Sequence, residues 1–303
     1  MKTEPHQKRY AVLLALVIAA RSSTYMASKI CLATTGIFTL LAQRFSLAFI
    51  LLAPILYYRR SRLKRQTLLY SIILGLLYFI IMTSELSALR TINSSTASFI
   101  INTAVVFVPL FEAIRNEKFP SIKTIAGSLI TFLGVGLLTF GGTFHRFGTG
   151  EWLCLFEAVL YTISIILTGL FSRKTDPMCM GIMQVGMIAL LSLGASYLFE
   201  TPSLPADSST WAALLMLAVI GTFFGLTFQP LAQRHMPNET AGMFCAINPV
   251  VASILSILCL GERLSPLQTA GGICILIGIL TTQKPDPVKT IIEFRRSKST
   301  SIR

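Results

Sequence analysis

The chain repeats itself after 144 positions, and both copies are apolar enough to be membrane helices. Ala88, Arg90 and Ala97 recur as Ala232, Arg234 and Ala241. Gly127 and Gly134 recur as Gly271 and Gly278, and Glu117-Lys118-Phe119 recurs as Glu262-Arg263-Leu264, one residue out of step. A repeat of this length in a hydrophobic chain predicts two like halves that enclose a site between them, near the bilayer midplane.

Composition places most of the chain in lipid. Hydrophobic residues make up 53%, charged residues 13%, and mean hydropathy is +0.69. A soluble domain carries about twice that charged fraction. The first apolar run, from Tyr10 to about Ile30, is long enough to span and lacks a small-residue cleavage site, so it reads as a helix rather than a removable leader. The net charge of +13 would suit nucleic acid, but it sits in the short segments between apolar runs and on the tail, so no nucleic-acid partner is expected. Cys31, Cys154, Cys179, Cys245, Cys259 and Cys274 form no CxxC pair and lie in or beside apolar runs, where cysteine acts as a small hydrophobe. His6, His145 and His235 fall in polar segments. Neither a metal nor a cofactor is expected.

Ten runs are long enough to cross a bilayer, at roughly 10–30, 36–57, 67–88, 94–114, 121–141, 152–171, 178–199, 210–232, 238–260 and 266–283. Their punctuation suits helix starts: Asn93-Ser94-Ser95, Pro120-Ser121, Asp176-Pro177 and Ser265-Pro266. With the N-terminus in the cytoplasm, the inner segments hold 20 Lys and Arg, the outer segments hold 4 (Lys29, Arg90, Arg146 and Arg263), and Arg21 and Arg44 lie within spans. That bias puts both termini in the cytoplasm of a multi-pass inner or plasma membrane protein. Five helices per copy is an odd number, so the second copy must enter from the opposite side. The expected fold is therefore all-α and membrane-embedded, with ten transmembrane helices in two inverted five-helix repeats. These are 1–145 and 146–283, followed by a basic tail, 284–303.

The ordered motifs resemble the drug/metabolite transporter superfamily, in its EamA-type branch of ten-helix carriers. The matching stretches are Gln43-Arg44-Phe45 with Ala48 and Pro54; Ser98-Phe99-Ile100 leading to Val106-Phe107-Val108-Pro109-Leu110 and Glu117-Lys118; and Asn248-Pro249-Val250 leading to Gly261-Glu262-Arg263-Leu264-Ser265 and Gly271-Gly272. Members often carry a tryptophan near the middle of the first helix, where this chain reads Ala20-Arg21-Ser22. The resemblance implies transport and leaves the cargo open.

Charges inside spans are the sharpest local signal, because each costs at least a few kcal/mol unless paired or hydrated. Arg21 lies near the midplane, roughly 16 Å into the first helix at 1.5 Å per residue. Arg44 and Glu157 lie in the outer half. Arg21, Arg44 and Glu157 are expected on a cavity wall, facing a polar or anionic solute. The structural alternative is that Arg44 pairs with Glu85 or Glu157 and locks helices together. Glu85 and Glu112, near span ends, are expected to snorkel to the interface. Tyr25, Tyr78, Asn102, Tyr161 and Asn248 complete the candidate site, with Thr103, Gln184 and Gln229 as further mid-span polar residues. Any of these can instead serve as interhelical hydrogen-bond glue. Asn102 and Asn248 hold nearly matching places in the two halves, and Pro249 can kink its helix. Gly127 with Gly134, Gly271 with Gly278, and Gly221 with Gly225 read as helix-packing positions that can also seat a homodimer. Glu117 and Glu262 read as N-terminal caps of the helices that follow them.

These features predict a secondary carrier of a small organic solute, amino acid-like or otherwise polar or anionic, moved out or in by alternating access. Its other partners would be membrane lipid, H+ as coupling ion, and a second copy of the chain. No GxxxxGK[ST] motif is present for ATP drive. A membrane-embedded lipid-modifying enzyme is the second reading, and it lacks clustered nucleophiles and bases in the spans. A non-transporting scaffold is the third, and it has no need of buried charge.

Overall fold

A computed structural model describes residues 5–92, 97, 100–117, 120–140, 148–248, 250–251 and 265–283, and the described residues are helices and short connectors. The helices are α1 (Pro5–Ser22), α2 (Thr24–Leu32), α3 (Ile37–Tyr58), α4 (Arg65–Leu89), α5 (Ala104–Asn116), α6 (Ile122–Phe140), α7 (Thr149–Lys174), α8 (Pro177–Phe199), α9 (Ser208–Met216), α10 (Thr227–Gln233), α11 (Asn238–Phe244) and α12 (Pro266–Gln283). A π-helical stretch, Leu217–Leu226, joins α9 to α10.

Among the described residues, six stretches are long and apolar enough to cross a membrane: Arg9–Leu32, Ile37–Tyr58, Arg65–Leu89, Thr149–Lys174, Pro177–Phe199 and Ser208–Gln233. Two shorter apolar helices, Ile122–Leu137 and Pro266–Ile279, match the fifth and tenth expected spans. The fourth and ninth enter the described residues only in part, around α5 and α11. The burial pattern inverts that of a soluble protein. Ile50 and Leu190 are each 66% exposed, whereas Arg44 is 5% exposed and Glu157 1%. Apolar side chains facing outward and charges facing inward suit a lipid surround.

Helix starts follow the punctuation where it is described. Asp176 accepts from the Met178 and Cys179 N–H groups at 3.1 and 3.0 Å, with Pro177 in the first turn. Ser121 accepts from the Thr124 N–H at 3.2 Å. Ser265 and Gln268 cap α12 reciprocally. The expectation for Glu117 fails. It ends α5 in the left-handed region, at φ 51°, and the cap of α6 is Ser121. Glu262, the Asn93–Ser95 signal, Arg146, Arg263, the Pro249 kink and the tail 284–303 lie outside the described residues.

Among the described residues, three helical runs are interrupted by turns, besides the π-helical stretch. In the first, Ser22, Ser23 and Thr24 turn their hydroxyls back onto the carbonyls of Ile18, Ala20 and Arg21. Such back-bonding competes with the helix ladder and breaks the run at Ser23. In the second, the turn at Asn102-Thr103 carries i−3 bonds, and Thr103 Oγ1 bonds to the Ile100 carbonyl. The third has the same tightening at Cys245-Ala246. The second and third interruptions stand at nearly equivalent places in the sequence repeat.

Contacts between connectors define two polar ends. At one end Arg59 and Arg62 reach Asp176, Arg173 donates to the Met236 carbonyl, Tyr10 stacks on His235 at 4.1 Å, and Asn238 donates to Glu112. Glu112 therefore does not snorkel; it is buried between Arg115 and Asn238. At the other end Glu200 accepts from the Phe38 and Thr39 N–H groups, and Arg90 donates to the Thr35 carbonyl. Partial burial would raise the Asp176 carboxyl, but the Cys179 N–H and Arg62 outweigh it and hold the group below the ordinary aspartate value. Ser209 and Thr210 hydrogen bonds draw Asp207 down to about 2.

Helices that correspond in the sequence repeat pack on each other antiparallel. A Cβ at Gly134 would lie 2.7 Å from the Gly271 carbonyl, and one at Gly278 2.7 Å from the Gly127 carbonyl, so α6 and α12 cross backbone to backbone in opposite directions. The α3 and α8 pair does likewise: the N-terminus of α3 meets Glu200 at the end of α8, and Arg59 after α3 meets Asp176 at the start of α8. The corresponding fourth and ninth spans also cross antiparallel, through α5 of one and α11 of the other: Val108 faces Gly242 while Glu112 faces Asn238.

Candidate functional site

The cavity forms where the broken first helix meets α3, α4, α7 and the π-helical stretch. On α4, Tyr78, Met82 and Glu85 are spaced four and three apart and so share one face. On α7, Cys154, Glu157 and Tyr161 are spaced three and four apart and share another. Arg21 arrives from the last turn of α1, and Tyr25 and Thr24 from the first turn of α2. The cavity is lined by Arg21, Thr24, Tyr25, Arg44, Met82, Glu85, Ile101, Glu157, Tyr161 and Asn248. It is a small cavity, partly open to its surroundings.

Both arginines are solvated by neutral groups. Arg21 donates through Nη1 to Gln229 Oε1 at 2.8 Å and to the Tyr161 hydroxyl at 3.1 Å. Its guanidinium lies 5.2 Å from the Tyr161 ring centre and 5.8 Å from that of Tyr78. Arg44 donates through Nε to Thr222 Oγ1 at 2.7 Å and lies 5.3 Å from the Phe45 ring centre. Cation–π contacts of this kind gain in strength where water is excluded. Among the described residues, no ion pair within 4 Å joins either arginine to Glu85 or Glu157. The direct pairing offered as the structural alternative is not the arrangement found. Both glutamates are buried in the wall of the same cavity.

Glycines make room for the arginines. A Cβ at Gly225 would lie 2.8 Å from Arg21 Cγ, and one at Gly221 would overlap Thr24 and lie 3.0 Å from Arg44 Nη2. Both belong to the π-helical stretch, whose wider turn leaves backbone groups poorly matched and is common at functional sites. There Thr227 Oγ1 bonds to the Thr222 carbonyl. The GxxxG spacing therefore accommodates long cationic side chains rather than a second bare helix.

The structure brings Arg21, Arg44, Tyr25, Glu157, Tyr161 and Asn248 to one cavity. Tyr78 adjoins through Arg21 and lies 3.4 Å from Gln229 Oε1. Asn248 accepts from Ser22 at 2.6 Å. Asn102 is buried at the turn beside Ile101, off the cavity lining. Glu85 corrects the sequence expectation: it lines the cavity, 6% exposed, and does not snorkel. Its spacing from Tyr78 and Met82 is the signal that places it there. Gln229 and Thr222 stand 144 positions after Glu85 and Tyr78 and hold the two arginines.

Comparison with known proteins agrees with the fold and the composition. The model of the EamA-like transporter family matches twice, over residues 9–140 and 148–282. An uncharacterized transporter of Archaeoglobus fulgidus is 26% identical over 275 residues, covering 90% of this chain and 86% of its own. The uncharacterized inner membrane transporter YedA of Escherichia coli is 24% identical, covering 90% of each chain. A probable terminal-alkyne amino-acid exporter of Streptantibioticus cattleyicolor is 28% identical over 62% of this chain and 64% of its own. One crystal structure superposes with a TM-score of 0.74 at 18% identity, covering 91% of this chain and 96% of that one, a likeness of fold. The chain belongs to the EamA-like transporter family and is a multi-pass membrane protein.

Proposed function

We propose that this member of the EamA-like transporter family is a secondary carrier of a small, carboxylate-bearing organic solute, amino acid-like in kind, and that the solute binds in the cavity around Arg21 and Arg44. The observation that carries the reading is the pair of arginines held at depth by neutral partners. A guanidinium in a span is costly, and its planar fork matches a carboxylate in two places. The relative named as an amino-acid exporter is consistent with this chemistry.

The mechanism we propose is alternating access by two inverted repeats, divided near residue 145. Three antiparallel contacts between corresponding helices support it, because a two-fold axis along the membrane normal would leave such partners parallel. Exchange of the two halves' conformations would open the cavity to one side and then the other. The end that carries Arg59, Arg62, Arg173, Lys174 and Arg234 is the cytoplasmic one on the positive-inside rule, since the opposite end has only Lys29 and Arg90 among the described residues.

The test is counterflow in liposomes containing the purified full chain. Vesicles loaded with unlabelled L-leucine, L-glutamate or L-malate are diluted into trace label of the same solute. Transient accumulation of at least one label, abolished by Arg21→Ala at equal protein level, is the expected result. No accumulation of any of the three would refute the carboxylate-carrier reading.

A further inference from the structure

We propose that Glu85 and Glu157 hold a single proton between them, and that this proton and a solute carboxylate occupy the cavity together. The proposal rests on the carrier reading above and adds a co-transported ion to it. Three observations carry it. Glu85 and Glu157 are buried in the wall of one cavity, and among the described residues neither has an ion pair within 4 Å; two ionised carboxylates so placed are costly to bury and repel each other, and a proton on one of them relieves both costs. Glu157 Oε2 is buried in the cavity wall and has no hydrogen-bond partner among the described residues, an unmet acceptor inside the site. The two arginines keep N–H groups in hand. Among the described residues Arg21 bonds only through Nη1, and Arg44 only through Nε.

The groups that face the pair are few. Among the described residues they are Arg21 and Tyr25 from the first span, Arg44 from α3, and Cys154 and Tyr161 from α7. With the tyrosines and the cysteine neutral, two guanidinium groups and one shared proton on two carboxyls leave the cluster with one net positive charge. A solute carboxylate brings it to neutrality and meets the spare N–H groups. Loss of the proton to water breaks the O–H bond, leaves both carboxyls negative, and neutralises the arginines from within. The solute carboxylate is then in excess and is released. Proton and anion therefore raise each other's affinity, as linkage requires of any such pair. Symport is the consequence: both move in the same direction. A solute amine that took the proton's place on the acids would give the opposite sign.

Two measurements test this. The first needs no solute. Infrared spectroscopy of the purified full chain at neutral pH should show the C=O stretch of a protonated carboxylic acid. The band should shift or vanish in Glu85→Gln and in Glu157→Gln, and be absent from the double variant. A wild-type spectrum without the band, or a band unchanged in the double variant, overturns the shared proton. The second uses liposomes that report internal pH, with L-glutamate and L-malate as probes. Entry of label should acidify the interior, and apparent affinity should rise as pH falls, up to about tenfold per unit for one linked proton. Flux with no pH change, or with alkalinisation, overturns symport and leaves the carrier reading standing. Absence of flux with every probe, beside a normal infrared band, counts against the carrier reading and the symport built on it.

Discussion

Replacing Gly225 by alanine should cost more activity than stability, because the added methyl meets the Arg21 side chain more closely than any backbone group. A Cβ there would lie 2.8 Å from Arg21 Cγ, with the Ile220 and Val17 carbonyls at 3.3 and 3.6 Å. Alanine gains about 0.5–1 kcal/mol over glycine in a helix interior. Overpacking costs about 1–3 kcal/mol, so the net change should be a loss of about 0–2.5 kcal/mol. The arginine must swing to relieve the contact, which disturbs its bonds at 2.8 Å to Gln229 and 3.1 Å to Tyr161. Losing one hydrogen bond to a charged group is worth about 1.5–3 kcal/mol, so counterflow should fall at least about tenfold. A double-mutant cycle isolates the cause. With Arg21→Ala the side chain that collides is gone, so Gly225→Ala should then be neutral or stabilising, with a coupling energy of about 1 kcal/mol or more. Melting temperatures and flux on the two single variants and the double variant are the assay. Strictly additive stabilities, or normal flux in Gly225→Ala, would show that Gly225 does not seat Arg21.

Three further outcomes are expected. Arg21→Ala should abolish counterflow while its melting temperature falls only modestly, since no carboxylate within 4 Å is left unpaired; Arg21→Lys should recover part of the flux, lacking the planar fork. Reporter fusions at Arg62 and Lys174 should read cytoplasmic and one at Pro205 external, and an external signal at Lys174 would break the topology. Asp176, held below its ordinary value when folded, should stabilise the protein above the unfolded aspartate pKa and lose that contribution as pH falls through the folded one. Asp176→Asn should therefore flatten the acid limb of a melting-temperature profile, and an unchanged limb would remove Asp176 as its source.

Depth along a helix was legible in the sequence; the identity of neighbours was legible only where a spacing encoded it. Arg21 reads as mid-membrane from its distance into an apolar run, and it lines the cavity. Glu85 reads as a span-end residue by the same count, yet it is 6% exposed and lines the same cavity as Glu157. The count fails because it measures height alone, whereas the α4 face of Tyr78, Met82 and Glu85 turns inward toward α7. That face is written in the four-and-three spacing, so the signal existed and was outweighed by proximity to a helix end. Glu112 fails for a related reason: its distance from the span end suited snorkelling, but Asn238 and Arg115 reach it first.

The glycines mark the limit of pattern reading more sharply. Gly134 and Gly278 belong to a motif that lets backbones approach, and they meet the backbones of α12 and α6. Gly221 and Gly225, four apart rather than seven, have a different task, because what approaches them is Arg44 and Arg21. A small residue specifies a vacancy, and the vacancy does not say what fills it. The π-helical turn presents these two glycines to a neighbour that carries charge into the membrane. The Ser22-Ser23-Thr24 break lies on the other side of the same contact, with Thr24 against Gly221 and Arg21 against Gly225. Two local departures from the α-helix therefore face each other across the arginines. Each is explained by the need to house a long cation where a regular helix pair would leave no room.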